Sequence, residues 1–473
     1  MPAKWGEITV KEIASAIGGR QMTGSPDKLI GGLSTDSRRM ISGHIFFALR
    51  GAVYDGHNFL SDAVNAGASG IIAESGTNGY KKLSGKDLAV ITVPSTLNAL
   101  GDLALWWRKK WAAKTIAITG SNGKSTTKEM AASILSLKAN TLKSPGNFNN
   151  LIGLPLTILS LNECHKMAVL EMGMNRAGEI SRLTQIAYPD IGLITNVSTA
   201  HLEGLGDLQG VIKAKGELLE EMSEKSTAIL NGDDESTKKL APIFQGPIAT
   251  FGLGKTNQIR ATGIKELKDY SQAFTIHIQD EKIPVRIKLP GVHNVLNALA
   301  GAAIAFCLGI PKELIAEGLK NFIPLKGRFR IIDLNRGIRI IDDTYNSNPS
   351  SLKAAFRTIK GIEKKGLIVG LGEMMELGQD AARHHFEAGR LAADMGAKYL
   401  TVLGEHGRQV IEGACKGGMD INRTYLATSH AEMADAIKEI AREGDVIFLK
   451  GSRKTTLEKV VEDLKGHLGI EKG

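Results

Sequence analysis

The sequence predicts an α/β protein made of three α/β domains in series. The chain has 473 residues, which corresponds to about two to four domains. Hydrophobic residues make up 42% and charged residues 23%, a balance typical of globular proteins. Short apolar segments alternate with helical segments along the whole chain, as in parallel sheets wrapped by helices.

The first predicted domain spans residues 1–98, in which short strands and helices alternate. We expect helices over 9–17 and 59–66 and strands over 45–49, 70–73 and 89–93.

The second predicted domain, residues 99–325, is expected to contain a parallel sheet of the P-loop type. A long helix over 97–111 leads into it. A strand at 115–119, a glycine loop at 120–124 and a helix at 125–137 follow, with further strands at 167–170, 191–195 and 227–230.

The third predicted domain, residues 326–473, repeats the alternation and is expected to be Rossmann-like. Its strands are predicted at 338–341, 367–369, 400–403 and 446–449.

Composition excludes several classes of function. The net charge is +9, but aromatic residues are only 5% of the chain and no basic cluster contains them, so we expect no nucleic-acid partner. Three widely spaced cysteines form neither a disulfide framework nor a metal pair, as expected for a cytoplasmic protein. The first residues lack a signal-peptide pattern, and the longest uncharged stretch, 289–311, contains polar residues. We expect a cytoplasmic monomer without membrane insertion.

The glycine-rich loop at residues 120–126 is suited to bind a polyphosphate. Backbone N–H groups of such a loop, with the N-terminus of the next helix, bind phosphate oxygens. Lys124 can bridge the β- and γ-phosphates, and the Ser125 hydroxyl can bind Mg²⁺. The eight-residue P-loop pattern requires glycine where Ile118 stands, so this loop is a shorter variant.

A second feature is Lys215, which falls in the middle of an apolar helix face. On a helix over 211–222, Lys213, Glu217 and Glu220 lie on the opposite face. An unpaired ammonium costs several kcal/mol to bury. Lys215 must therefore extend to solvent, be paired or be chemically altered.

Two further positions suit ligand binding. Glu171 ends the strand at 167–170, at the sheet edge where parallel sheets bind ligands, and its oxygens suit Mg²⁺. Asn294 and Asn297 are three residues apart on a predicted helix, so their amides share a face that can contact a base or can simply cap the helix.

The segment 119–126 resembles the nucleotide loop of the Mur ligase family, which folylpolyglutamate synthases share in similar form. Further segments extend the resemblance over the whole chain, among them 171–180, 290–300, 342–349 and, with His385, 372–378 and 450–453. The resemblance implies a first domain that binds a UDP-sugar, a central domain that binds ATP and Mg²⁺, and a third domain that binds the amino substrate and closes over the nucleotide.

The resemblance also implies the ATP and metal sites. Lys124, Lys215 and Arg328 are the implied catalytic residues. The implied ATP-binding residues are Gly120, Ser121, Asn122, Gly123, Lys124, Ser125, Thr126, Asn294, Asn297, Arg328 and Asp343. Two Mg²⁺ ions are implied, with Ser125, Glu171, His201 and Lys215 as ligands, Lys215 after carbamylation by CO₂.

The implied substrates are UDP-N-acetylmuramoyl-tripeptide and D-alanyl-D-alanine, joined through an acyl phosphate. The third-domain segment 342–349 resembles that of the family members that add this dipeptide. The implied substrate residues are Thr35, Asp36, Ser37 and Arg38 in the first domain, Asn147, Asn149 and Asn150 in the central domain, and Asn346 and Asn348 in the third.

Two alternatives remain open at this point. A folylpolyglutamate synthase has a similar loop but lacks a UDP-binding first domain. A P-loop ATPase or nucleic-acid module would show nucleic-acid-stimulated ATPase activity with steep salt dependence. The third residue of the tripeptide and the group that deprotonates the amine cannot be read from the sequence.

Overall fold

Three large sheets follow one another along the chain, one in each predicted domain. The structure is a computed structural model, and it describes residue 5 and residues 8–51, 53–77, 79–83, 87–198, 202–362 and 364–470. The prediction of α/β domains in series is confirmed, although every large sheet also contains an antiparallel strand.

The first sheet has the strand order β2-β7-β6-β5-β4, in which only β2 is antiparallel to its neighbour. Helix α1 begins after Thr9, whose side chain and that of Glu12 form a capping box. The elements are β1 (Ile8–Thr9), α1 (Val10–Ala16), β2 (Arg20–Thr23), β3 (Leu29–Ile30), β4 (Leu33–Ser34), β5 (Ile45–Phe47), α2 (Leu60–Asn65), β6 (Gly70–Glu74) and β7 (Ala89–Val93).

Helix α3 (Thr96–Lys110) connects the first and central domains, and the predicted boundary at residue 98 lies inside it. The chain's four tryptophans gather here: the Trp107 ring lies 5.3 Å from that of Trp5, 6.0 Å from Trp106 and 5.8 Å from Trp111. A single apolar cluster joins side chains of both domains around this helix.

The central sheet has the order β16-β15-β14-β13-β12-β11-β8-β10-β9. Strands β8 to β14 pair in parallel, and β8, β10, β11 and β12 among them were predicted. Strands β9, β13 and β14 were not predicted, nor was the antiparallel ribbon of β15 and β16 that extends the sheet. The strands are β8 (Lys114–Thr119), β9 (Thr141–Lys143), β10 (Met167–Glu171), β11 (Ile191–Ile194), β12 (Thr227–Asn231), β13 (Ile248–Gly252), β14 (Ile259–Glu266), β15 (Gln272–Ile278) and β16 (Glu281–Ile287). The helices are α4 (Lys124–Leu135), α5 (Gly153–Ile158), α6 (Glu179–Ala187), α7 (Leu202–Leu205), α8 (Leu208–Glu221), α9 (Glu235–Lys238), α10 (Val292–Cys307) and α11 (Lys312–Asn321).

The third sheet has the order β17-β18-β22-β19-β20-β21, and all pairs except β17–β18 are parallel. The strands are β17 (Arg330–Asp333), β18 (Arg339–Asp343), β19 (Leu367–Gly372), β20 (Tyr399–Leu403), β21 (Thr424–Ala427) and β22 (Val446–Lys450). The helices are α12 (Pro349–Lys360), α13 (Ala381–Asp394), α14 (Gly407–Lys416), α15 (His430–Ile440) and α16 (Glu458–Leu468).

The carboxyl ends of β8, β10 and β11 meet the third domain, and the candidate site lies at this junction. The uncharged stretch falls largely on α10, which is buried against α4. None of the helices described is long and apolar enough to cross a bilayer.

Candidate active site between the central and third domains

The phosphate loop connects β8 to α4 and needs glycine at two positions. Gly120 and Gly123 have φ angles of +143° and +83°, which other residues rarely adopt. A Cβ atom on Gly120 would lie 1.9 Å from Thr195 Oγ1, and one on Gly123 would lie 2.3 Å from Asn297 Oδ1. The loop therefore packs tightly against β11 and α10.

Not every amide of the loop is available to a phosphate. The N–H groups of Ser121 and Asn122 donate to the carbonyl and side-chain oxygens of Asn196, at 2.9 and 3.1 Å. The amides of residues 123–126, in the first turn of α4, have no acceptor among the described residues, as is normal for a helix start. They are the donors that can bind a polyphosphate.

Lys124 points back onto its own loop. Its ammonium donates to the carbonyl of Gly120 at 2.7 Å and more weakly to that of Ser121 at 3.4 Å. Burial lowers the pKa of Lys124, and the carboxylate of Glu171 opposes this shift. A phosphate oxygen can replace the carbonyl acceptors with little movement of the side chain.

Glu171, at the carboxyl end of β10, is buried and only partly satisfied. Its Oε1 accepts from Asn149 Nδ2 at 2.9 Å, while its Oε2 has no hydrogen-bond partner in the described structure and lies 3.9 Å from Lys128 Nζ. A buried carboxylate oxygen without a donor is costly unless a cation occupies the site. Together with the Ser125 hydroxyl, this oxygen fits the ligand set of a Mg²⁺ ion.

Lys215 lies on α8, and its side chain is only 1% exposed. Within the part of the chain that the structure describes, its ammonium has no hydrogen-bonding or ionic partner. Burial, and then the charge of Lys124, hold the pKa of Lys215 well below its usual range, which favours the neutral amine. The predicted apolar environment of Lys215 is confirmed.

The prediction that Glu217 faces away from the core was wrong. Its two carboxylate oxygens accept from the backbone N–H groups of Gly178 and Ser181 at 2.7 and 3.0 Å. The carboxylate binds the otherwise unpaired amides at the start of α6, and this contact explains its burial. His201, the other implied ligand of a second Mg²⁺, lies outside the described residues.

A cavity of about 330 Å³ extends from the phosphate loop between α10 and the third domain. Asn294 and Asn297 line it, but their amides are already engaged: Asn294 donates to the Pro290 carbonyl at 2.8 Å, and Asn297 donates to Asn294 Oδ1 at 3.2 Å. Other lining residues include Asn196, Asn231, Phe251, His293, Asp343 and Lys450. The cavity has the place and polarity expected for a nucleoside next to its phosphates.

The third domain contributes an arginine to the phosphate loop. Arg328 donates to Ser125 Oγ at 3.3 Å, and its guanidinium lies over the Tyr345 ring at 4.1 Å. Asp343, at the end of β18, accepts from Lys450 at 2.6 Å and from the Phe329 amide at 3.2 Å. Asp343 therefore fixes the chain next to Arg328 as well as lining the nucleotide cavity.

A group of amide and hydroxyl side chains links the two domains across the phosphate loop. Asn348, which caps α12, donates to Asn122 Oδ1 at 2.9 Å, and Asn122 donates to Ser350 Oγ at 2.8 Å. Ser198 Oγ lies 3.1 Å from Ser350 Oγ. We call these four residues, Asn122, Ser198, Asn348 and Ser350, the closure contact.

A second cavity, of about 590 Å³, is the reaction cleft on the other side of Lys124. The predicted substrate residues that line it are Asn149, Asn150, Asn346 and Asn348, together with Lys124, Glu171 and Arg328. Asn147 is exposed and is not among the lining residues.

The predicted first-domain substrate residues line neither cavity. Asp36 accepts from the Arg38 amide at 3.1 Å and pairs with its guanidinium at 2.9 Å, while Thr35 and Ser37 are half-buried beside them. A role in binding the far end of a long substrate stays a prediction.

Several residues of the site were not predicted as site residues from the sequence. His293 is held neutral because burial lowers its pKa to about 4. Lys450 ends the buried strand β22; the resemblance included it in the segment 450–453 but implied no role for it. Asn196 likewise follows a buried strand, β11 of the central sheet.

The fold and site define a class of protein: a multidomain, nucleotide-dependent enzyme in which one domain binds phosphates and another closes over them with an arginine. Comparisons with known proteins agree with this class. The Mur ligase middle domain matches residues 118–305, the Mur ligase glutamate ligase domain matches residues 327–453, and the Mur ligase family catalytic domain matches residues 29–108.

Relatives match over nearly the whole chain. The UDP-N-acetylmuramoyl-tripeptide–D-alanyl-D-alanine ligase of Bacillus subtilis is 34% identical over 464 residues, covering 96% of this chain and 98% of that protein. A crystal structure of MurF from Acinetobacter baumannii has a TM-score of 0.87 and 32% identity, covering 98% of this chain and 100% of that one. MurF from Thermotoga maritima in complex with ADP has a TM-score of 0.82 and 26% identity, covering 92% of this chain and 97% of that one.

The chain belongs to the Mur ligase family. It is an ATP-dependent ligase, as the sequence predicted, and neither a folylpolyglutamate synthase nor a nucleic-acid module is favoured.

Proposed function

We propose that this protein uses ATP to join D-alanyl-D-alanine to UDP-N-acetylmuramoyl-tripeptide, in the cytoplasm, for peptidoglycan synthesis. The relatives that match the full chain carry this activity in their names. The observation that carries the proposal is the Arg328–Ser125 contact, because it brings the third domain to the phosphate loop beside the cleft that contains Lys124.

The phosphates of ATP lie on the amides of residues 123–126. Lys124 binds the β- and γ-phosphates, and Arg328 adds a second positive charge that is present only when the third domain is closed. The nucleoside occupies the cavity lined by Asn294, Asn297 and Asp343.

Two Mg²⁺ ions complete the proposed site. Ser125 and the unpartnered oxygen of Glu171 would hold the first ion, and Lys215, as a carbamate, would hold the second together with His201. The neutral amine of Lys215 would attack CO₂: a C–N bond forms as one C=O π bond opens, and the nitrogen releases a proton to water, which leaves the carbamate anion. When bound, Mg²⁺ would stabilise the charge of the phosphoryl group in transfer.

The reaction requires an activated carboxyl group, because an amine cannot displace an oxide ion from a carboxylate. The tripeptide carboxylate attacks the γ-phosphorus of ATP, giving an acyl phosphate and ADP. The amine of the dipeptide then attacks the acyl carbon, the tetrahedral intermediate expels phosphate, and the nitrogen loses its surplus protons to give the amide. Asn149 and Asn150, beside Glu171 in the cleft, hydrogen-bond the first substrate near its reacting end.

A phosphate-release assay tests this proposal. We expect release only when UDP-N-acetylmuramoyl-tripeptide and D-alanyl-D-alanine are both present with ATP and Mg²⁺. Lys124→Ala should lower the turnover about a hundredfold or more, because it removes a charge next to the transferred phosphoryl group. The proposed mechanism fails if Lys124→Ala forms ADP from the tripeptide substrate at the wild-type rate.

A further inference from the structure

Lys128 is a buried lysine of α4 that the mechanism does not use. It lies one helical turn after Lys124, and its side chain is only 1% exposed. It lines neither the nucleotide cavity nor the reaction cleft, but a third cavity, of about 500 Å³, between α4 and the third domain. A buried ammonium group requires acceptors and counter-charges, so its contacts indicate which parts of the structure it holds together.

The Lys128 ammonium binds the loop that follows β9. It donates to the Ser144 carbonyl at 2.7 Å and more weakly to that of Gly146 at 3.5 Å. Residues 144–150, which we call the amide loop, bring Asn149 into the reaction cleft. Hydrogen bonds from a charged donor are stronger than those between neutral groups. Lys128 therefore ties the amide loop to the helix that begins at the phosphate loop.

The amide loop is also bonded to the residues around the end of β10. Ser144 Oγ accepts from the Glu171 backbone N–H at 3.1 Å, and Asn149 Nδ2 donates to Glu171 Oε1 at 2.9 Å. The Asn149 carbonyl accepts from the Gly173 backbone N–H at 2.8 Å. The loop thus places the amide group of Asn149 next to the carboxylate that is proposed to bind Mg²⁺.

The charge of Lys128 is balanced by two carboxylates. Its Nζ lies 3.3 Å from Glu129 Oε1 and 3.9 Å from Glu171 Oε2, and the longer distance is too great for a hydrogen bond. Glu129 also pairs with the exposed Lys143 of β9. Glu171 is held by its own strand, since β10 pairs with β8 and β9. Lys128 is therefore not required to hold Glu171 in place, and its hydrogen bonds go to the amide loop.

We propose that Lys128 is a positioning residue, which fixes the amide loop against α4 and so aligns Asn149 and Asn150 for binding the first substrate. The first turn of α4 binds the phosphates in the proposed function, and Lys128 stands on the next turn. One helix therefore positions both the nucleotide and the loop that contacts the group to be phosphorylated. The inference rests on the proposed function and adds the residue that aligns its first-substrate loop with the phosphate loop.

Steady-state kinetics of Lys128→Met in the full-length enzyme test the inference. We expect the KM for the UDP-tripeptide to rise at least tenfold, while the KM for ATP and the Mg²⁺ concentration for half-maximal rate stay within threefold of the wild type. Lys128→Arg keeps a charged donor next to a cavity with room for it, and should restore part of the loss. Lys143→Met, the matched control, removes the other cation at Glu129 without touching the loop carbonyls, and should leave all three values unchanged.

Hydrogen exchange in the absence of substrates separates loosening of the loop from general destabilisation. The backbone N–H groups of Gly153 and Gly173, which donate to Asn150 and Asn149, should exchange at least tenfold faster in Lys128→Met than in the wild type. Those of the buried helix α10 should exchange at the wild-type rate. If Lys128→Met does not fold, Lys128→Gln, which has a shorter and uncharged side chain, should show the same changes in KM and exchange.

Three results would overturn the inference. They are an unchanged KM for the UDP-tripeptide in a folded variant, a larger change in the Mg²⁺ requirement than in that KM, and equal acceleration of exchange in α10. If the wild-type enzyme releases no phosphate with the UDP-tripeptide and D-alanyl-D-alanine, the proposed function itself is wrong.

Discussion

Two lysines of the site, half-buried Lys124 and buried Lys215, face opposite chemical requirements. Lys124 must keep its charge to bind phosphates, and Glu171 helps to maintain it. Lys215 has no such partner among the described residues, so burial drives it toward the neutral amine that can react with CO₂. The surroundings of each lysine, and not the residue type, decide its role.

Lys215→Ala should lower turnover by about a hundredfold or more, because a group that holds a metal ion is lost. Small carboxylates such as formate should restore part of the activity, and removing CO₂ should reversibly reduce the activity of the wild-type enzyme. Phosphate release measures all three effects. Lys213→Ala, on the exposed side of α8, should change little. Full activity of Lys215→Ala without any response to carboxylates would contradict the carbamate.

At the scale of single residues, the sequence correctly predicted the environment of those whose position is determined by one helix or one strand. Helical spacing correctly placed Lys215 among apolar side chains, and the end of an apolar strand correctly placed Glu171 in the cleft. Helical spacing predicted the wrong environment for Glu217, because its carboxylate is bound by backbone N–H groups of another helix, α6. Only the resemblance singled out the segment 372–378, which contains Glu376, because its place in the cleft depends on how the third domain lies against the central one.

At the scale of elements, the phosphate loop combines backbone conformations that only glycine adopts easily with close packing. Both constraints apply at Gly123, which precedes α4 and packs against Asn297 of α10.

Gly123→Ala should therefore raise the KM for ATP at least tenfold. The left-handed conformation alone costs about 1–2 kcal/mol for a residue with a Cβ atom. Gly309→Ala is the matched control: its φ is +66°, but nothing lies within 4 Å of the added Cβ. Denaturant unfolding should show a loss of stability in both variants, and a larger one in Gly123→Ala, because its added Cβ also lies 2.3 Å from Asn297 Oδ1. An equal rise in KM for both would mean that the contact with Asn297 is unimportant.

The sequence predicted most parallel strands because each is a short and mainly apolar run. It missed the ribbon β15–β16, although Gln272–Ile278 alternates between buried and half-buried residues in the way expected for an antiparallel strand. The same alternation of polar and apolar residues is visible in the sequence of β15. Short strands such as β9, with few apolar residues, offered no such signal.

At the scale of the whole molecule, the structure has the central and third domains closed on each other. The closure contact joins side chains separated by 226 residues in sequence, Asn122 and Asn348, so no local pattern could predict it. The order of the three domains could be predicted, because each has its own run of strands. The angle between them could not.

Ser350→Ala should weaken this closed arrangement. It removes the acceptor of Asn122 and a donor to Asn348, and each hydrogen bond contributes about 0.5–1.5 kcal/mol. We expect the KM for ATP to rise about threefold to tenfold, and X-ray scattering should give a larger radius of gyration with a bound ATP analogue than for the wild type. Ser136→Ala, at the exposed end of α4, should alter neither measurement. Unchanged scattering and KM in Ser350→Ala would mean that closure depends on other contacts.

The tryptophan cluster around α3 has a practical consequence for spectroscopy. All four indoles lie where the first and central domains meet, and the chain from residue 112 onward contains none. Tryptophan fluorescence will therefore report whether that junction is intact. The third domain can open or unfold without a direct change in this fluorescence. A single tryptophan introduced at Tyr425, on the partly exposed strand β21, would make the third domain visible.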